Sequence, residues 1–196
     1  MTPISPVTLE GTHVRLEPLE TSHLDALCEV GLDPELWALT TTQVRGRDDL
    51  ARWLTAALGD RDAGTALPFA TIERSRGRVV GSSRLGSWSP DNRRIEIGWT
   101  WIARPWQRTP INTEAKLLML RFAFEKLNCV RVQFITDELN EPSRKAILRL
   151  GAKEEGIVRH DFIMPNGRKR NSVQFSIIDE EWPDVRRRLE GRLSGG

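Results

Sequence analysis

The sequence predicts an α/β (α+β) fold: a mixed, mostly antiparallel twisted sheet with helices on both faces, in one domain over residues 1–196. Three observations predict it. The 196 residues match the size of one domain, and with 39% hydrophobic residues they can bury a core without staples. Short alternating or apolar runs interleave with longer runs of helical period, in the order β-α-α-β-β-β-α-β-α-β-β-α. The two cysteines, Cys28 and Cys129, are far apart and lack ligand spacing, so neither a disulfide framework nor a zinc site is needed. Both read as buried structural thiols in a reducing compartment.

From the N-terminus, Val7 to Leu19 alternates, with Gly11-Thr12 as a possible turn, and reads as one bent strand or a hairpin. Thr21 or Ser22 is expected to cap a helix carrying Leu24, Leu27, Cys28 and Gly31. Pro34 to Leu39 reads as a short helical turn. Asp48 to Leu58 repeats apolar residues at Leu50, Trp53, Leu54 and Ala57, the spacing of one helix face. Pro68 to Glu73 and Arg78 to Leu85 are strands joined at Arg76-Gly77, and Ser87 to Asn92 reads as a loop.

The centre carries the most information. Arg94 to Ile102 alternates, placing Ile95, Ile97, Trp99 and Trp101 on one face and Glu96, Gly98 and Thr100 on the other. Pro110 to Lys126 is a long helix whose buried face holds Ala115, Leu118, Met119 and Phe122, with Lys126 snorkelling at its end. Val130 to Thr136 is a strand, and Pro142 to Leu150 a helix with Gly151 as its C-cap. Ile157 to Met164 and Asn171 to Ile178 form a hairpin about Pro165-Asn166-Gly167. Glu181 to Leu193 is a terminal helix, and Ser194-Gly195-Gly196 is expected to fray.

Charge excludes little but points away from nucleic acid: the formal net charge is +2. The basic clusters Arg168-Lys169-Arg170 and Arg186-Arg187-Arg188 read as solvated surface of a turn and of the last helix, with an anionic partner as the alternative. No apolar run is long enough to span a membrane, and Met1 to Pro6 lacks a signal-peptide pattern, so a cytoplasmic location is expected.

The chemistry gathers at Trp106-Gln107-Arg108-Thr109-Pro110-Ile111-Asn112-Thr113. Thr109 suits an N-cap and Pro110 the first helical position. A strand that runs into such a helix start presents free amides and a positive dipole end, an anion site.

The span Ile97 through Lys116 resembles the acetyl-CoA-binding segment of the GNAT (Gcn5-related) N-acetyltransferase superfamily, and within it the ribosomal-protein N-terminal acetyltransferase (RimJ/RimL-like) branch. Ile97-Gly98-Trp99 stands where that family has an Ile-Gly-aromatic triplet. Gln107 to Asn112 occupies its Gln/Arg-x-x-Gly-x-Gly/Ala phosphate loop, and Thr113-Glu114-Ala115 opens the helix. Asn140-Glu141-Pro142-Ser143 with Leu150-Gly151-Ala152 resembles its Asn-x-x-Ser…Leu-Gly-Phe stretch. Two positions depart: Pro110 replaces a Gly, and so removes an N–H, and Asn112 replaces a Gly or Ala.

The resemblance implies an acetyl-CoA-dependent N-acetyltransferase with no metal. Its acceptor would be a primary amine on a small molecule, an amino acid or a peptide N-terminus, and a homodimer is implied. It assigns the pantetheine arm to backbone groups of Trp101, Ile102 and Ala103. The diphosphate falls to Gln107, Arg108, Thr109, Ile111, Asn112 and Thr113, with Asn140 as a further cofactor contact or, equally, the N-cap of its helix. A neutral amine is needed for attack, and a lysine-type amine at pH 7 is neutral in only about one molecule in 2,500, which makes a base valuable. Glu96 is the candidate base, and ion pairing beside Arg93 and Arg94 is its structural alternative. The chain contains no tyrosine, so Ser143 is the candidate acid for the leaving thiolate, or else the first-turn partner of backbone groups. His160 is a weaker catalytic candidate, and Trp88, Trp99 and Trp106 are candidates to line an acceptor pocket. A non-catalytic acyl-CoA-binding or partner-binding protein on the same fold is the alternative function.

Overall fold

The structure is a computed structural model that describes residues 4–195. Eight strands form one sheet: β1 (Leu9–Glu10), β2 (Val14–Pro18), β3 (Leu67–Glu73), β4 (Arg78–Ser89), β5 (Arg94–Ile102), β6 (Arg131–Asp137), β7 (Lys153–Ile163) and β8 (Lys169–Ile178). Their order across the sheet is β1-β2-β3-β4-β5-β6-β8-β7. All neighbours are antiparallel except β5 and β6, which are parallel.

Among the described residues, five α-helices cover the two faces: α1 (Leu24–Gly31), α2 (Arg47–Asp62), α3 (Pro110–Arg121), α4 (Glu141–Leu150) and α5 (Trp182–Ser194). On one face, α1 and α2 pack Leu27, Leu50, Trp53 and Leu54 against Ala70, Ile72 and Trp101 of the sheet. Trp37, Trp53 and Trp101 meet there with ring centroids 5.4–6.0 Å apart. On the other face, α3, α4 and α5 pack Ala115, Met119, Ile147, Val185 and Leu189 against Ile95, Ile97, Phe134 and Phe175. Two separate cores on one sheet explain why the helical segments are apolar on one stripe while the central strands are buried on both faces.

The predicted elements are present, with local corrections. The first segment is a hairpin, with Leu9 opposite Leu16. The turn before α1 is capped by Glu20 and His23, whose Nδ1 accepts the Glu20 amide at 3.0 Å, not by Thr21 or Ser22. β4 runs on through Ser87 to Ser89, so the expected loop shrinks to residues 90–93, closed by the Arg93 amide on the Pro90 carbonyl. α3 ends at Arg121, and the next turn widens so that the Leu127 amide reaches the Phe122 carbonyl; Lys126 there is exposed. Cys28 is only half-buried, whereas Cys129 is buried, and both are free thiols. Burial pushes the Cys129 thiol up to about 12, so it stays protonated and inert. Ser194 closes α5, and Gly196 lies outside the described residues.

The alternation assigned to β5 fails at one place. Ser82 pairs with Trp101 and Arg84 with Gly98, so Ser83 faces two residues, Trp99 and Thr100. Trp99 takes a left-handed conformation with φ 50°. This β-bulge reverses every later side chain. Ile95 and Ile97 enter the α3 core, while Trp101 enters the α1–α2 core and Trp99 is left 41% exposed.

Candidate active site

β5 and β6 pair only over Arg94–Glu96 and Arg131–Gln133. Beyond that point β6 continues beside β8, while β5 from Ile97 to Ile102 continues beside β4 alone. The two parallel strands therefore open into a fork with Glu96 and Gln133 at its vertex. Each strand then feeds the start of a helix: β5 leads to α3 and β6 to α4. Ligands favour such crevices at the carboxyl ends of parallel strands, because unpaired backbone and helix amides converge there.

The inner edge of β5 supplies backbone polar groups. The Ala103 amide is used on the Val80 carbonyl at 2.8 Å, so alternation turns the Ile102 amide and carbonyl the other way, into the fork. The Ile102 carbonyl accepts the Gln107 amide Nε2 at 2.9 Å. Gln107 thus ties the loop to the strand end. Thr109 caps α3: its hydroxyl accepts the Ile111 amide at 3.4 Å and donates to the Trp106 carbonyl at 2.7 Å. Ile111 is buried and packs in the α3 core. Arg108 sits at φ 61°, left-handed, where the family pattern allows any residue. The amides of Arg108, Thr109 and Asn112 make no backbone bond among the described residues. Asn112 Oδ1 is buried and also lacks a partner. Thr113 is half-buried in the first turn.

Across the mouth, Asn140 caps α4, with its Oδ1 accepting the Ser143 amide at 3.1 Å. The Ser143 hydroxyl is half-exposed and has no partner among the described residues. The free amides, the α3 dipole and the unpaired β5 edge fit an elongated thioester cofactor whose arm leads to a diphosphate. Asn112, Arg108 and Thr109 could hold the phosphates and Ile102 the arm. Among the described residues, no group of three His, Cys, Asp or Glu side chains is placed to hold a metal ion.

Glu96 is 9% exposed and lies on the face opposite Ile95 and Ile97. Its Oε2 accepts from Ser87 Oγ and Gln133 Nε2, both at 3.2 Å. Burial pushes its carboxyl above the usual range; the Gln133 and Ser87 bonds and the Arg170 charge act in the opposite sense. A buried base raised towards neutral pH is suited to taking a proton from an amine. Neither Arg93 nor Arg94 pairs with it: the Arg93 Nε donates to the Asn128 carbonyl at 2.7 Å. Trp99 lies on the Glu96 side, against Gly86, with the Arg84 guanidinium 4.9 Å from its ring centroid. Trp88 and Trp106 pack on the α3 core instead. His160 is exposed, at φ 51°, and its amide donates to Asn171 Oδ1 at 2.9 Å.

Pattern alone does not single out the buried charges Glu114, Lys116 and Arg170. Glu114 is 5% exposed and accepts the amides of Thr12, His13 and Val14 at 2.6–2.8 Å, bolting α3 to the β1–β2 hairpin. Lys116 Nζ donates to Ser83 Oγ at 2.8 Å and Thr100 Oγ1 at 2.5 Å, beneath the β5 bulge, and burial lowers it to about 7. The run Leu117 to Leu120, apolar all round the helix, was the available signal that α3 is enclosed and that Lys116 goes with it. Arg170 is 7% exposed, so the turn cluster is not solvated surface as expected; its neighbour Arg168 pairs with the fully buried Asp137.

Comparison with known proteins bears on the family and the fold. The model of the acetyltransferase (GNAT) domain matches residues 13–153. A GCN5-related N-acetyltransferase from Brucella melitensis superposes with TM-score 0.88 at 31% identity, over 97% of this chain and 88% of that one. A Bacillus subtilis protein, YdaF, which carries the provisional name of ribosomal N-acetyltransferase, is 35% identical over 106 residues, 54% of this chain and 57% of its own. Mycobacterium smegmatis RimJ, solved in complex with CoA-disulfide, shares the fold with TM-score 0.83 at 22% identity, over 98% and 97% of the two chains.

Proposed function

The chain belongs to the GNAT acetyltransferase family, and from that premise we propose that it transfers the acetyl group of acetyl-CoA to a primary amine, with Glu96 as the base. The observation that carries this reading is the fork. A free strand edge ends at unpaired amides around the start of α3, and a buried, raised carboxylate stands at its vertex. The likeness to YdaF and RimJ supports the ribosomal-protein acetyltransferase branch.

When bound, acetyl-CoA supplies an activated thioester carbonyl and a thiolate leaving group. The chain's own residues do the rest. The Ile102 amide faces the fork and donates to charge that develops on an acyl oxygen. Glu96 removes the proton from the acceptor ammonium, directly or through water, so that a neutral nitrogen attacks. The Ser143 hydroxyl, free of other partners among the described residues, is placed to donate towards the departing sulfur. Arg108, Thr109 and Asn112 hold phosphate by their amides, while Pro110 has none to give.

Calorimetry with acetyl-CoA and thiol release over an amine panel test the reading. Glu96→Gln lowers kcat about 100-fold at pH 7, and the loss shrinks as pH rises and amines lose their protons unaided. A pH–rate profile unchanged in the variant removes Glu96 from the mechanism. Acetyl-CoA binding with no thiol release from any amine leaves the non-catalytic acyl-CoA-binding alternative.

A further inference from the structure

Arg170 lies on β8 on the same face of the sheet as Glu96. Val173, Phe175 and Ile177 of β8 turn into the α3 core, so Arg170 and Ser172 turn the other way, as Glu96 does relative to Ile95 and Ile97. Between them on β6 lie Gln133, bonded to Glu96, and Asp137. Arg170 is more than nine-tenths buried, yet it has no carboxylate or carbonyl partner among the described residues, and its Nε is sealed from solvent unsatisfied. Its guanidinium lies 5.2 Å from the ring centroid of Phe162, the residue opposite it on β7. Ser172 Oγ, two residues along the same face, is also buried and unpartnered.

The nearby carboxylates do not satisfy it. Asp137 is taken by Arg168 and by the Leu139 amide, and Glu96 by Ser87 and Gln133. Asp161, on the exposed bend of β7, acts on Arg170 only through space, as do Asp137 and Glu96; Arg168 opposes them. Burying a guanidinium without an acceptor is costly, and the group has five N–H donors and no means of neutralising itself. Its planar fork matches a carboxylate.

We propose that Arg170 determines acceptor specificity, and that the acceptor is a small amino-acid-like molecule whose carboxylate takes the Arg170 guanidinium while its amine lies at Glu96. This rests on the acetyl-transfer reading above. A polyamine, by contrast, would bring a second cation against a buried guanidinium and leave its donors empty.

The test uses the full chain with acetyl-CoA and matched acceptors: free amino acids, the same amino acids as C-terminal amides, and spermidine, read by thiol release. Free acids are expected to exceed their amides in kcat/KM by about 10- to 100-fold, mostly through KM. The lower amine pKa of the amides works against that order, so amine ionisation cannot produce it. In Arg170→Met the preference is expected to fall to about one, and in Arg170→Lys to be partly restored. Thermal melting checks that each variant is folded. Amides or spermidine used as well as the acids, or a preference unchanged in a folded Arg170→Met, overturns the proposal. Turnover of none of these acceptors despite acetyl-CoA binding overturns it too, while leaving the cofactor site intact. Failure to bind acetyl-CoA sinks the transferase reading itself.

Discussion

Glu96 and Lys116 each carry a charge that the fold disfavours, and the pH dependence of stability should show both. For Glu96 the carboxyl is raised by burial. Below the unfolded value of about 4.3, both states are protonated and nothing is lost. As pH rises past it, the unfolded chain releases a proton that the folded chain holds, and stability falls until the folded carboxyl also ionises. Glu96→Gln should therefore melt higher than the parent at pH 7, with the gap closing near pH 4; a gap that does not depend on pH would contradict it. With Glu96 as the proposed base, the variant should thus gain stability where it loses activity. Lys116 runs the other way, lowered to about 7 by burial. Both states are neutral well above pH 10.4; below that the unfolded chain gains a proton first, and stability is lost until the folded amine charges as well. Lys116→Met should therefore stabilise most below pH 7 and not at all near pH 11. Ser83 and Thr100 remain bonded to each other at 2.7 Å, so the substitution orphans neither.

The helix α3 joins two parts of the molecule. Its first turns face the fork, and one turn on, Glu114 holds three consecutive amides of the first hairpin. Glu114→Ala removes a charged acceptor from three amides at once and should cost about 3 kcal/mol, seen as a lower urea midpoint with unchanged slope. A loss below about 0.5 kcal/mol would mean that the hairpin is held by packing alone. At the start of the helix, Asn112→Asp sets a negative charge beside the amides proposed to hold phosphate. Acetyl-CoA affinity should fall about tenfold at low salt, and less at high salt, by calorimetry. Equal affinity would show that the diphosphate lies elsewhere.

The whole molecule is a sheet left incomplete at its centre. Among the described residues β5 lacks a neighbour on one side over Ile97–Ile102, while Ile97 and Ile102 anchor it in one core and Trp101 in the other, so the open edge is held in place for a strand-like ligand. Acetyl-CoA should slow hydrogen exchange at Ile102, Arg108, Thr109 and Asn112 together. At one hundred times Kd it should stabilise the fold by about 2.7 kcal/mol. Protection confined to one helix end would separate the phosphate site from the fork.

Element order, the capped start of α3, the Asn140 cap and the Asn-Gly turn could all be read along the chain, because each depends on residues within a few positions of one another. So could the place of Glu96 on β5, since alternation holds up to Gly98. What came after the bulge could not: the facing of Trp99, Thr100 and Trp101 depends on Ser83 opposing two residues at once, a matter of pairing with β4. The burial of Lys116 and Arg170 was decided by elements distant in sequence: β4 and β5 receive the Lys116 ammonium at Ser83 and Thr100, and β7 lays Phe162 against Arg170. Short-range pattern sets which structure a segment forms. Whether a charge is left in water, or held dry and unpaired in a site, is set by whatever long-range packing lays over it.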